Sequence, residues 1–177
     1  MKTITDQLAN YAGYHRDRRN ILTHFIGIPM IVLAIAILLS RPVFGLPGLA
    51  LTVSPVWLLA IASTLFYLAL DLRFGMVMGV LMAITVWVAA IIASGSTASW
   101  LGWGIGLFVV GWAFQFVGHI FEGRKPAFVD DLVGLLIGPL FVVAELAFML
   151  GLCRSLNQDI EARVGPVHNR RQTTAPQ

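Results

Sequence analysis

The densest group of charged and ligand-type side chains between two apolar runs lies in the stretch from Gln115 to Pro139. On a helix, Gln115, His119 and Glu122 are spaced i, i+4, i+7 and share one face. An imidazole and a carboxylate on one face are ligand types that a hard-to-borderline metal ion accepts. A single His-x-x-Glu motif is a weak signal that is more often the interfacial end of a membrane helix than a metal site, so on this motif alone the interfacial interpretation is favoured.

The composition places the chain in a membrane. Of its 177 residues, 58% are hydrophobic and 12% are charged, whereas soluble domains have about 45–50% apolar and about 25% charged residues. We therefore predict an all-α, polytopic transmembrane helix bundle as a single domain over residues 1–153, followed by a polar, disordered tail over 154–177. The polar N-terminus does not resemble a cleaved signal peptide, and the single cysteine, Cys153, excludes an internal disulfide.

Five apolar segments are candidate helices: 21–40, 55–71, 74–94, 100–121 and 132–152. A crossing helix needs roughly 20 residues, so we expect four to five spanning helices plus a re-entrant segment. Pro29 should kink the first segment, and Gly75 and Gly79 are spaced for close helix packing in the third. The Pro- and Gly-rich stretch 41–54 predicts a loop or a re-entrant turn.

The distribution of basic residues favours a cytoplasmic N-terminus, because four lysines and arginines precede the first apolar segment. The basic tail favours a cytoplasmic C-terminus as well, which requires one apolar segment not to cross. The segment 132–152, interrupted at Gly138-Pro139, is the first candidate for a re-entrant element. This topology gathers most of the polar candidates at the cytoplasmic rim: His15, His24, Asp71, His119, Glu122, Asp130 and Asp131.

Ionisable side chains near membrane depth are costly and therefore point to function, although each histidine taken alone could instead bind a lipid headgroup or a carbonyl group. His15 and His24 are nine residues apart, which is about two and a half helical turns. On one straight helix they would point in opposite directions. Both can contact one ion only if the chain breaks between them, near Asp17 to Asn20.

The carboxylates also have structural roles available. Asp71 beside Arg73 predicts an ion pair at a helix end, and Asp130 and Asp131 can cap the helix that follows them. Glu145 lies deep in the last apolar segment, where a carboxylate must pair, be protonated or bind an ion.

Several enzyme classes are excluded by motif. The sequence has no Ser-His-Asp spacing, phosphate-binding loop or dinucleotide fingerprint. Its four histidines are too few for the membrane di-iron desaturases and hydroxylases. A mononuclear site of histidine and carboxylate with open positions would suit non-haem Fe(II) and oxygen chemistry.

Three blocks of sequence resemble the signatures of the 2-hydroxy fatty acid dioxygenases. They read Y-H-R-D-R-R-N-I-L-T-H-F-I-G-I-P from Tyr14, Q-F-V-G-H-I-F-E-G-R-K-P from Gln115, and D-L-V-G-L-L-I-G-P-L-F-V-V-A-E up to Glu145. This family comprises small integral membrane proteins related to the yeast endoplasmic-reticulum enzyme of phytosphingosine breakdown. The resemblance implies Fe(II)-dependent shortening of a long-chain 2-hydroxy fatty acid by one carbon, with molecular oxygen as co-substrate.

Under this resemblance, the required histidines fall on His15, His24 and His119. Glu122 is then a fourth ligand or a residue that orients the ligands. The other candidate carboxylates are Asp71, Asp130, Asp131 and Glu145, and the candidate substrate-binding residues are Arg16, Asn20, Arg124 and Lys125. The basic residues among them would neutralise the substrate carboxylate, or in the case of Arg124 and Lys125 simply mark the inside.

The expected location is the bacterial inner membrane, or the endoplasmic reticulum in a eukaryote, with the site facing the cytoplasm. The expected partners are the bilayer and the fatty acid, without nucleic acid, and a homo-oligomer is left open. Two other classes stay open: a non-enzymatic transporter or scaffold, which the interrupted segments favour, and a zinc-dependent lipid-modifying enzyme with the same ligands. Against transport, the sequence has no inverted repeat, and its polar residues other than Glu145 are expected at one rim.

Overall fold

The computed structural model describes residues 2–45, 48, 52–125 and 133–168, and within them the chain forms seven helices and one short β-hairpin. The helices are α1 (Ile4–Ala12), α2 (Arg18–Ser40), α3 (Pro55–Leu70), α4 (Leu72–Ala93), α5 (Thr97–Glu122), α6 (Gly134–Met149) and α7 (Arg154–Val164). Strands β1 (Phe44–Gly45) and β2 (Thr52–Val53) pair antiparallel within the stretch predicted to be a loop. The predicted all-α class is confirmed.

Three helices, α2, α4 and α5, are long and apolar enough to cross a membrane on their own. Helix α3 is apolar but has only 16 residues. Helices α6 and α7 satisfy the test as a pair, but they meet at an angle of 113° and form either a broken span or a re-entrant element. The predicted interruption at Gly138-Pro139 is wrong, because α6 continues through both residues and the bend lies between Met149 and Arg154.

The chain divides into two compact units. The first unit comprises Met1–Ile28 and Trp112–Gln177, and the second comprises Pro29–Gly111. The prediction of one transmembrane domain over 1–153 stays a prediction.

In the second unit, α3 and α4 pack closely because glycines allow it. A Cβ atom added at Gly75 would lie 2.5 Å from the Cα atom of Leu68, and one at Gly79 would lie 3.1 Å from the Cγ2 atom of Thr64. Any side chain at position 75 would therefore displace the backbone of α3. The predicted close packing at these two glycines is confirmed.

In the first unit, the polar N-terminal stretch begins with a helix that the sequence analysis does not predict. Thr3 and Asp6 form a capping box at the start of α1: the Asp6 amide donates to the Thr3 hydroxyl, and the Thr3 amide donates to the Asp6 carboxylate. Leu8 and Ala12 are fully buried, and α1 packs against α6 and α7. A short, mostly polar helix needs only a few apolar residues to be stable when neighbouring helices pack against those residues.

The predicted disordered tail is wrong over its first part, because Arg154–Val164 forms helix α7. Ile160 is buried, and Arg163 forms an ion pair with Asp6 at 2.8 Å. This helix is polar along most of its length, so hydropathy alone does not reveal it, and its stabilising contacts come from α1. Residues 169–177 lie outside the described part of the chain.

Candidate metal centre

The connection between α1 and α2 carries the first of the predicted ligands. Helix α1 ends at Ala12 and α2 begins at Arg18, so His15 lies in the non-helical connection while His24 lies on α2. The predicted break between the two histidines is present, but it covers residues 13–17 and ends where the predicted stretch from Asp17 to Asn20 begins. The His15 amide donates to the carbonyl oxygen of Ala12 at 2.9 Å, which turns the chain sharply after α1.

His15, His24 and His119 meet in the first unit, and one ring nitrogen from each lies within 4.8 Å of the others. All three side chains are buried, with exposed fractions of 0%, 1% and 7%. The ring centroids are 4.5–5.2 Å apart and the ring planes cross at 65–82°. Three buried imidazoles that converge edge to face could hold one metal ion.

The hydrogen bonds of the rings define which nitrogen atoms carry protons. The Nδ1 atom of His15 is 2.7 Å from the carbonyl oxygen of Tyr11, and the Nδ1 atom of His24 is 2.9 Å from that of Asn20. A carbonyl oxygen only accepts, so both Nδ1 atoms are the donors. The two Nε2 atoms, 3.0 Å apart, then face each other as lone pairs.

Charge on this pair is disfavoured. Burial lowers the pKa of His15 well below its usual value, and the neighbouring His24 lowers it further. Two neutral imidazoles with opposed lone pairs repel each other unless a cation lies between them. His119 adds a buried Nδ1 atom that has no hydrogen-bond partner among the described residues. Neutral imidazoles suit zinc, copper, iron and nickel, so this group of three histidines fits a transition-metal ion.

Aromatic side chains line one side of the histidine group. The ring of Tyr11 stacks on His15 with centroids 4.2 Å apart and planes 7° apart. Phe141 from α6 lies 5.5 Å from His15 and 5.0 Å from Tyr11. Burial raises the pKa of Tyr11, so its phenol stays protonated. The sequence analysis missed both residues. The sequence signal that could have indicated Tyr11 is its position four residues before His15.

Gly118, directly before His119, is a further residue that the sequence analysis missed. A Cβ atom there would overlap the Oγ1 atom of Thr23 and the Oδ1 atom of Asn20, and would lie 3.3 Å from the Nδ1 atom of His24. The helix that carries His119 therefore approaches the helix that carries His24 closely enough that only glycine fits.

Glu122 does not belong to the group of potential ligands. Its carboxylate accepts hydrogen bonds from the amides of Arg16 at 3.0 Å and Asp17 at 2.8 Å, and from the side-chain amide of Asn20 at 3.0 Å. These donors belong to the α1–α2 connection and the first turn of α2. Of the two roles left open by the sequence, this geometry favours the orienting one, since Glu122 attaches the His15 connection to the end of α5.

Arg16 and Glu145 form a buried ion pair at 3.2 Å. The Arg16 guanidinium also donates to the carbonyl oxygens of Ala12, His15 and Gly165. Pairing, one of the three fates predicted for Glu145, is therefore confirmed. The contacts of Arg16 are those of a structural residue, and its predicted contact with a substrate carboxylate stays a prediction.

The backbone of the connection is also bonded to the segment after α7. The amide of Arg18 donates to the carbonyl oxygen of His168 at 3.0 Å, and the amide of His168 donates to that of Arg16 at 2.9 Å. Asp17, between them, is buried and forms an ion pair with Arg19 at 2.8 Å. The sequence does not predict these contacts, because hydrogen bonds between the backbones of two distant segments leave no pattern in the side-chain sequence.

The remaining candidates are distributed differently. Arg124 donates to the carbonyl oxygen of Gly13 at 2.7 Å, and with Lys125 it lines a surface cleft of about 450 Å³ beside α1 and Val164. Asp71 lies in the second unit, where its carboxylate accepts from the amide of Phe74 and caps α4. Its predicted ion pair with Arg73 is absent from the described residues. Asp130 and Asp131 lie outside the described residues.

Comparisons with known proteins point in one direction. The family model described as 2-hydroxy-palmitic acid dioxygenase Mpo1-like matches residues 1–150. The 2-hydroxy-palmitic acid dioxygenase MPO1 of Saccharomyces cerevisiae is 33% identical over 160 residues, which cover 89% of this chain and 87% of the yeast protein. No solved structure matches the chain. The matched region contains the three histidines and Glu122.

Proposed function

The chain belongs to the 2-hydroxy-palmitic acid dioxygenase Mpo1-like family, and on this premise we propose that it is an Fe(II)-dependent dioxygenase of long-chain 2-hydroxy fatty acids. The proposed reaction shortens the acid by one carbon. With one molecule of O₂, the balanced products are the shorter carboxylic acid, CO₂ and water. The observation that carries the proposal is that the Nε2 atoms of His15 and His24 lie 3.0 Å apart, with His119 beside them.

Three imidazoles would hold the ion: His15, His24 and His119. Bound Fe(II) would supply the activation of molecular oxygen, which suits a site with protein ligands on one side and open positions on the other. Zinc also accepts three histidines, so the ligand set alone supports a zinc-dependent alternative, and the choice of iron rests on family membership.

The protein groups around the histidines perform the supporting tasks. The carbonyl oxygens of Tyr11 and Asn20 hold the two rings with Nε2 turned inward, which also keeps these nitrogens unprotonated. Tyr11 and Phe141 cover one side of His15 with aromatic surface and exclude water from it. Glu122 fixes the connection that carries His15, so it orients a ligand without binding the ion.

The substrate has an apolar tail and an anionic carboxylate, and exposed basic side chains of the protein could attract that carboxylate. We propose that Arg124 and Lys125, both exposed in the cleft beside α1, attract the carboxylate. Arg16 is less suited to this task, because its guanidinium is buried and already paired with Glu145. From the distribution of basic residues, we further propose that the histidine group faces the cytoplasm.

The test is oxygen consumption by the purified full chain, reconstituted anaerobically with Fe(II), on 2-hydroxypalmitate and on palmitate. Uptake with the 2-hydroxy acid alone, together with pentadecanoate in the mass spectrum, is the expected result. The same protein loaded with Zn²⁺ should take up no oxygen. An iron-loaded protein that leaves both acids unchanged would contradict the proposal, and a product formed with zinc alone would support the lipid-modifying alternative.

A further inference from the structure

Gln115 is a buried polar residue that no contact described so far explains. It lies on α5 one helical turn before His119, and the i, i+4 spacing puts both side chains on the same face. Only 6% of Gln115 is exposed. Its Nε2 atom has no hydrogen-bond partner in the described part of the chain. Buried side-chain donors nearly always have a partner, so a buried amide without one calls for an explanation.

The neighbouring Asn20 differs from Gln115 because its side-chain donor is bonded, although its Oδ1 atom also lacks a described partner. The side-chain amide of Asn20 donates to Tyr14 and to Glu122, and its Oδ1 atom lies against Gly118. Asn20 is therefore fixed in the packing between α2 and α5. Gln115 has no such described bond, while the next polar group on its face, the Nδ1 atom of His119, is also without a described partner.

We propose that Gln115 is a substrate-binding residue that donates a hydrogen bond to the 2-hydroxyl oxygen of the fatty acid. This inference rests on the proposed function. A neutral amide cannot neutralise a carboxylate, whereas it can donate to a hydroxyl oxygen without any change of charge. The exposed cations Arg124 and Lys125 would attract the acid to the site without contacting the hydroxyl group.

The same donor would determine specificity. An amide that is bonded only when a 2-hydroxyl is present stays buried and unpaired when an ordinary fatty acid binds. Sites built to bind a hydroxyl group reject analogues that lack it for this reason. Gln115 would thus distinguish 2-hydroxy acids from their unsubstituted counterparts before any oxidation takes place.

The experiment measures equilibrium binding under anaerobic conditions, so that no turnover occurs. The iron-loaded full chain, Gln115→Met and the control Gln158→Met are titrated with 2-hydroxypalmitate and with palmitate. Methionine keeps the length of the side chain and removes the donor. Gln158 is exposed on α7 and should leave both affinities unchanged. Iron content and the unfolding temperature are measured for each protein.

In Gln115→Met we expect the affinity for 2-hydroxypalmitate to fall about tenfold, which is the contribution of one hydrogen bond, and the affinity for palmitate to stay the same. An equal loss for both acids, no loss for either, or a loss of iron would overturn the inference. If Gln115→Met does not fold, Gln115→Asn replaces it. Asparagine keeps a donor but withdraws it by one methylene, and the same selective loss is expected.

The measurements distinguish a failure of the proposed function from a failure of the role of Gln115. A wild-type protein that binds both acids equally and takes up no oxygen contradicts the proposed function, and this inference with it. A wild-type protein that prefers and oxidises 2-hydroxypalmitate, beside a Gln115→Met variant with the same preference, contradicts only the role of Gln115.

Discussion

The Nε2 atoms of His15 and His24 lie 3.0 Å apart, while both rings already donate through Nδ1 to backbone carbonyl oxygens. No proton is left for the contact between them unless one ring becomes charged, and burial opposes that charge at His15. A cation is the simplest group that relieves the contact, since it accepts both lone pairs at once.

Removal of any one of the three imidazoles should therefore abolish metal binding. For His15→Ala, His24→Ala and His119→Ala we expect a loss of at least about 100-fold in metal affinity, because even residues that only support a ligand contribute about 10–100-fold. His168→Ala is the matched control, since His168 contacts the connection through its backbone alone among the bonds described. Metal per chain is measured by mass spectrometry, and a His119→Ala protein that retains its metal would remove that residue from the site.

Replacement of Glu122 distinguishes an orienting residue from a ligand. Glu122→Gln keeps the shape but removes the charge that binds three donors, so we expect a loss of about 2 kcal/mol in the free energy of unfolding. The folded fraction should still bind one metal ion. Asp159→Asn, at an exposed acid on α7, should change neither quantity. A Glu122→Gln protein of normal stability without metal would show that the carboxylate is a ligand.

The buried pair of Arg16 and Glu145 predicts a non-additive response. Glu145→Leu leaves the guanidinium buried without its counter-charge, which costs about 3–5 kcal/mol. The double variant Arg16→Met/Glu145→Leu should recover part of that loss, because it removes the unpaired charge. Chemical unfolding in detergent measures all three proteins. Strictly additive losses would mean that the two side chains do not stabilise the fold as a pair.

Gly118 should tolerate no side chain. Gly118→Ala introduces a methyl group where Thr23 and Asn20 already lie, so α2 and α5 must separate, at a cost of about 1–3 kcal/mol. Because His24 and His119 lie on these helices, metal affinity should fall as well. Gly106→Ala on the same helix meets no atom within 4 Å and serves as the control. Unchanged metal binding in Gly118→Ala would contradict the close approach.

The stabilisation that comes from the contact between α1 and α7 should be lost at acidic pH. The side chain of Arg163 and the capping contacts with Thr3 lower the pKa of Asp6 to about 2 from its usual 3.8. A carboxyl group with a lowered pKa in the folded state stabilises the fold above pH 3.8, and this contribution disappears as the pH falls through about 2. Asp6→Asn should therefore lower the unfolding temperature at neutral pH, and the difference from wild type should vanish near pH 2. A difference that persists there would contradict the assignment.

The sequence predicts those parts of the fold and site that depend on composition and helical spacing. The apolar segments locate the long helices, and the nine-residue separation of His15 from His24 predicts a break between them if both are to contact one ion. The convergence of these residues on His119 was implied by a family resemblance, and spacing alone did not establish it.

Other features depend on contacts between distant segments and leave little trace in local patterns. Helix α7 is polar, and it is stabilised through Ile160 and Arg163 by its contact with α1. Tyr11 forms a wall of the site because α1 packs beside α6. Gly118 is one glycine among 17 in the sequence, and only the position of Thr23 and Asn20 distinguishes it from the others.

The backbone bonds between His168 and the residues on either side of Asp17 have a consequence for biosynthesis. During translation, His15 leaves the ribosome long before His119, and His119 long before His168. The connection that holds His15 therefore waits for most of the chain to be made and inserted before its geometry is complete. A metal ion held by the three histidines should accordingly be acquired after synthesis, by a protein whose helices are already inserted.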